Sequence, residues 1–186
     1  MRQSILLNYE QSCRTAVVLA GFLLAGCHGS GDNPSGLAAN QSAAGTCADP
    51  IVLEGSATLS GQTTKDALDA ISGDDRSCVG YATHGAERVY KITVSAKDKT
   101  KLHVAVSPTD TPSADAFDPV VYVAEDCVAQ PACSAGQDNH GGGGQESLDF
   151  VNTTGQDKNL YVVVDGYDFQ PNGGSYSLAA ELTTPP

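Results

Sequence analysis

The residues able to do chemistry in this chain are its acids, histidines and cysteines. Asp118 opens an apolar run, Glu125 and Asp126 close it, and Asp165 and Asp168 flank a Gly166–Tyr167 turn at the end of another. Hard cations such as Ca²⁺ take six to eight oxygens from carboxylates and loop carbonyls, and neighbouring loops can converge to supply them. Asp118, Asp165 and Asp168 are therefore the candidate metal ligands, with Ca²⁺ the candidate ion and no other cofactor indicated. Their spacing is not that of an EF-hand, and Asp also serves turns by accepting from local backbone N–H groups. Asp66, Asp69, Asp74 and Asp75 read as a solvated acidic loop. A hydrolase needs a nucleophile, a base and oxyanion donors. The chain has no Gly-x-Ser-x-Gly elbow and no His-Glu-x-x-His pair. His28, His84 and His140 fall in loops or polar sequence and His103 on the wet face of a strand, so no catalytic residues are assigned and the chain reads as a non-enzyme. The tract Asn139 to Gln145 (NHGGGGQ) has no following Lys and Ser or Thr to make a phosphate cradle. It reads as a mobile hairpin tip.

Of the six cysteines, Cys13 lies in an export leader over residues 1–26 and Cys27 follows it directly. Arg2 and Arg14 give it a basic start, and Ala16 to Ala25 (AVVLAGFLLA) is an apolar or small core. That core is about half of the roughly 20 residues a spanning helix needs, which favours a cleaved signal. It ends in Leu24, Ala25, Gly26 and Cys27, which resembles the lipobox of bacterial lipoproteins. The resemblance implies cleavage before Cys27, a diacylglyceryl group on its thiol and a palmitate-type acyl anchor, because one chain alone holds a protein only marginally. It also implies a protein on the cell membrane, sorted to the outer membrane in a Gram-negative cell because His28, not Asp, follows the cysteine. Residues 27–45 are rich in Gly, Ser, Asn, Pro and Ala and read as a flexible tether.

Cys47, Cys78, Cys127 and Cys133 remain. An even number in an exported chain reads as two disulfides, and there is no closely spaced Cys or His pair for zinc. Three connectivities are open. The favoured one joins Cys127 to Cys133 around a Pro-containing loop and Cys47 to Cys78 across the acidic loop, worth about 2 and about 4 kcal/mol by loop-closure entropy.

These residues must be positioned by strands. Runs of period two are RVYKITVS (Tyr90, Ile92, Val94 on one face), KLHVAVS (Leu102, Val104, Val106), ESLDFV (Leu148, Phe150), NLYVVVD (Leu160, Val162, Val164) and SYSLAAEL (Tyr176, Leu178, Ala180, Leu182). Ile51 to Leu59 and Pro119 to Ala124 bring the total to seven or eight strands, while Lys65 to Ile71 (KDALDAI), behind Thr64, suggests a helical turn or two. With 20 Gly, 9 Pro and little helix, residues 46–184 read as an all-β, antiparallel, jelly-roll-like sandwich. The net charge of −12 excludes nucleic acid as a partner, since the dominant electrostatic term would be repulsive.

Gly61 and Thr63 on an opening strand, an acidic loop ending in Cys78, the Phe117–Asp118–Pro119 step, a Cys-bracketed loop, and the YVVVDGY and GGSYSL runs together resemble the bacterial pre-peptidase C-terminal domain and its CUB-like relatives. The resemblance covers about residues 53–182. It implies an accessory β-sandwich without catalysis of its own, often carrying Ca²⁺ in its loops, whose partner is a protein or glycan not identified by the sequence.

Overall fold

In a computed structural model, residues 44–71, 78–81, 83–113, 115–167 and 173–184 are described. The leader, Cys27, the tether up to residue 43, Asp74, Asp75 and Asp168 lie outside them. The described residues form two facing sheets, as the alternating runs require. Nine strands are present: β1 (Ile51–Leu53), β2 (Ala57–Thr63), β3 (Arg88–Val94), β4 (Lys101–Pro108), β5 (Pro119–Ala124), β6 (Cys133–Gln137), β7 (Glu146–Val151), β8 (Lys158–Gly166) and β9 (Ser175–Thr183). One sheet has the order β1-β3-β8-β5-β6 and the other β2-β9-β4-β7. All pairings are antiparallel except β1 with β3.

The core forms where the inward faces meet. Tyr90, Ile92 and Val94 of β3, Val121 and Val123 of β5, and Leu160, Val162 and Val164 of β8 pack on Leu102, Val104 and Val106 of β4, Leu148 of β7, and Tyr176, Leu178 and Ala180 of β9. Cross-strand registers such as Tyr90 with Val162 and Val106 with Leu178 keep these faces aligned, and a slip of one residue would turn a strand's core residues to the opposite face of its sheet. Within the core the Tyr90 hydroxyl donates to Gln62 Oε1 (3.1 Å) and bonds the Tyr176 hydroxyl (2.7 Å), so both phenols are satisfied.

The five-stranded sheet is covered on its outer face as well. Val89, Val120, Tyr122 and Val163 form a second cluster with Ile71 and Cys78, flanked by Cys47, Cys127 and Cys133. All six residues of β5 are consequently buried, which is why PVVYVA reads as continuously apolar and does not alternate.

Several expectations are corrected. The run Ile51 to Leu59 is two strands in different sheets, broken at Glu54–Ser56, where Gly55 takes φ +88°. The strand β6 (CSAGQ) was not expected, because its residues are poor strand formers; Gly136 is required there, since a Cβ would lie 2.1 Å from the Cys78 carbonyl oxygen. Lys65 to Ile71 is not helical. Ala67 N closes a turn onto Thr64 O, Asp66 takes φ +62°, and the N–H groups of Ala70 and Ile71 go to the Glu87 carboxylate instead of to helical carbonyls. Among the described residues the one short helix is a 3₁₀ turn at Lys97–Lys99.

The disulfides are Cys47–Cys127 and Cys78–Cys133, with Cα separations of 5.4 and 5.0 Å, and not Cys127–Cys133 with Cys47–Cys78. The cause is β6. Once Cys133 pairs beside Ala124 on the sheet edge, its thiol belongs to the outer face where Cys78 crosses, while Cys127 in the turn meets the segment around Cys47. These bridges tie the two crossing segments to the β5–β6 hairpin. They close loops of 80 and 55 residues, worth about 4.5 and about 4 kcal/mol in the chain-entropy model.

Candidate functional site

Asp118 and Asp165 lie at one end of the sandwich, in two separate groups of acids, while Glu125 follows β5 at the other end and pairs with Lys158 Nζ (2.6 Å). The first lies near the gap between the sheets. Glu146 starts β7 on the inward parity of Leu148 and is 1% exposed. Its Oε1 accepts from the backbone N–H of Asn139 (2.9 Å) and of His140, and pairs with His140 Nδ1 (3.1 Å). Its Oε2 is buried with no partner, as is Oδ1 of Asp118. Burial raises the pKa of Asp118, and the Glu146 charge adds to it. Asp138 is pushed up to about 6 for the same two reasons, with His140 opposing. The glycine tract is part of this construction and not a free hairpin tip. Gly143 N donates to Phe117 O (2.8 Å), Gly142 O accepts from Ser113 N, and a Cβ on Gly143 would fall 2.4 Å from Pro112 Cα.

The second group lies on the outer face of the five-stranded sheet. Arg88 on β3 pairs with Val164 on β8, so Glu87 and Asp165 stand opposite each other one step beyond. They are 5% and 0% exposed. Asp165 accepts from Gly166 N (2.7 Å) and the Tyr122 hydroxyl (3.1 Å). The Thr83 hydroxyl lies close enough to lower its pKa but reaches no partner at full hydrogen-bond geometry. Glu87 accepts from Ala70 N (3.0 Å) and Ile71 N (3.2 Å). Burial pushes Asp165 up to about 7 and Glu87 up to about 8, the latter also raised by Asp165 and Asp69.

Asp118 and Asp165 are thus not brought together. Asp118 faces Glu146, whereas both oxygens of Asp165 are taken by protein donors. Asp168 lies outside the described residues. Among the described residues no group of three or more His, Cys, Asp or Glu has the geometry to hold a metal ion, and Asp118 and Asp165 stand in separate groups. Asp66 and Asp69 flank the segment over Glu87, and Asp66 lines a cavity of about 200 Å³ there with Leu68, Glu87 and Arg88. Glu87 and Glu146 were missed by sequence reasoning. Parity was the available signal: Glu146 continues the inward series of Leu148 and Phe150.

His103 lies on the outer face of β4, where its Nδ1 meets Asp149 Oδ1 at 2.7 Å and Lys101 Nζ meets Asp149 Oδ2 at 3.0 Å. The two neighbours hold the Asp149 carboxyl below its usual range. This pair borders an open cleft of about 390 Å³ between the edges of β6 and β7, with Gln137 and Ser147. Among the described residues no hydroxyl hydrogen-bonds to His103, so the pair orients an imidazole without a nucleophile attached. His84 is half-buried in the loop before β3, and His140 is engaged by Glu146.

Comparison of the chain with models of known protein families finds no match, and comparison with curated protein sequences finds none either.

Proposed function

We propose that the chain is a lipid-anchored lipoprotein of the bacterial cell envelope whose β-sandwich, over residues 46–184, is a non-catalytic interaction module for a protein or glycan. The observation that carries this is the order Leu24, Ala25, Gly26, Cys27 directly behind an apolar run. Two disulfides that cross-link the sandwich support it, because such bridges persist in oxidising compartments outside the cytosol. In this reading the anchor is acyl chains on Cys27, since the acidic surface left after the leader is removed is repelled by anionic headgroups. The likeness to pre-peptidase C-terminal domains supplies the accessory role. Intact-mass analysis of the native protein tests it: the mature chain begins at Cys27 with diacylglyceryl mass added, and Cys27→Ser abolishes palmitate labelling. An unmodified thiol overturns the anchor. Glycan-array and pull-down binding by residues 44–186 tests the module.

A second reading, a structural envelope component bridged by divalent cations, is favoured by the two orphan oxygens, Asp118 Oδ1 and Glu146 Oε2. Calcium titration followed by thermal melting decides it, because an ion bound only by the folded state raises the midpoint with concentration. A midpoint unchanged at millimolar calcium rules this reading out.

A further inference from the structure

Residues 64–71 form a strap over the outer face of the five-stranded sheet, held by three kinds of contact. At its start Thr64 exchanges two hydrogen bonds with Gly174, N–H to carbonyl (3.0 Å) and Gly174 N–H to the Thr64 hydroxyl (3.0 Å). At its end Ile71, 1% exposed, plugs the cluster of Val89, Val120, Tyr122 and Val163. Between strap and sheet, Glu87 N donates to Leu68 O (3.1 Å) while the Glu87 carboxylate takes the N–H groups of Ala70 and Ile71. The latching carboxyl stands directly opposite Asp165 in the β3–β8 register, and like charges in that position repel.

We propose that Glu87 and Asp165 act as a pH-operated latch, holding the strap 64–71 closed when protons are available and releasing it from the outer sheet face when both carboxyls ionise. The N–H groups of Ala70 and Ile71 favour ionised Glu87, and Gly166 N and the Tyr122 hydroxyl favour ionised Asp165, but burial outweighs them and sets the direction. Asp69 on the strap adds repulsion to both carboxyls. Asp66 lines the cavity beside Glu87. Tyr122 on β5 is a neutral donor whose own ionisation is pushed far up. Among the described residues Arg88 turns its Nε to Thr63 O (3.0 Å) and its Nη1 to Ala44 O (2.7 Å), which commits it to backbone carbonyls. With both acids ionised, hydration of the pair is gained by lifting Ala70 and Ile71, and with them the plug over Tyr122. The folded pKa values, about 8 and about 7, place this change across neutral pH.

Amide hydrogen exchange of the full-length protein, corrected for intrinsic base catalysis, tests the latch. Protection of Ala70 and Ile71 is expected to fall at least tenfold from pH 6 to pH 9, while the β4 and β9 amides hold theirs. Glu87→Gln keeps an oxygen for both N–H groups and carries no charge, so protection in that variant becomes independent of pH. Carbon-13 titration of the two carboxyls in the wild-type protein does not depend on any variant folding. Two carboxyls titrating between pH 6 and 9 support the latch; both titrating below pH 5, or strap protection that stays constant to pH 9, overturns it.

Discussion

Single side chains decide which polar groups this sandwich can bury. The Tyr90, Tyr176 and Gln62 side chains form one chain of hydrogen bonds between the sheets, with Tyr90 in the middle. Tyr176→Phe removes one bond and leaves Tyr90 donating to Gln62, a cost of about 1 kcal/mol. Tyr90→Phe leaves both partners buried and unmatched, and costs about 2 to 3 kcal/mol. Urea unfolding of the two variants checks this ranking, and equal costs would show that the chain of bonds is not shared in the way described. The same scale explains what could be read beforehand. Asp118 and Asp165 were recognisable as acids at strand ends. Their environments were not, because the direction of a side chain at a strand terminus depends on a register that no local pattern specifies. Glu87 precedes one recognisable strand, on the outer parity, and Glu146 opens another, on the inner parity. They passed as ordinary surface acids because a buried carboxylate is tolerated only where tertiary structure delivers donors, here Ala70 and Ile71 for one and Asn139 and His140 for the other.

Among the elements, the strands with one wet face and the continuously apolar β5 were legible, and β6, with its weak composition, was not. β3, β4, β7, β8 and β9 lie where period two placed them, and β5 matches its apolar run. β6 has no such signal. It exists because β5 offers an edge and because Gly136 lets the Cys78 backbone approach. From β6 follows the disulfide pattern, which short loops in the sequence had argued against. Non-reducing peptide mapping should recover Cys47 with Cys127 and Cys78 with Cys133, and a Cys127–Cys133 peptide would refute the pairing. Gly136→Ala should destabilise the domain by about 2 kcal/mol or more, since the clash is with backbone and not with a flexible side-chain end. Chemical denaturation measures it; a neutral substitution would mean that β6 does not lie against Cys78.

For the whole domain, the buried acids predict how stability responds to pH. A carboxyl whose folded pKa lies above its unfolded value binds more protons when folded, so stability falls as pH climbs from the unfolded pKa through the folded one. For Glu87 that window runs from 4.5 to about 8, for Asp165 from 3.8 to about 7, and for Asp138 from 3.8 to about 6. Asp149 has the opposite sign, its contribution being lost only as pH falls through a depressed pKa, and it lies on the surface, where such pairs are worth little. The thermal midpoint should therefore be highest near pH 4 and decline by roughly 5 °C or more towards pH 9, at about 1.4 kcal/mol per pKa unit before solvent screening reduces it. Self-repulsion among surface acids on a chain of net charge −12 pushes the same way and must be separated. Salt does so. At 1 M the screening length is about 3 Å, which removes surface repulsion and leaves buried groups nearly untouched. A decline that survives 1 M NaCl and shrinks in Glu87→Gln belongs to the buried pair. A decline that vanishes with salt is a surface effect and leaves the buried acids without influence on stability.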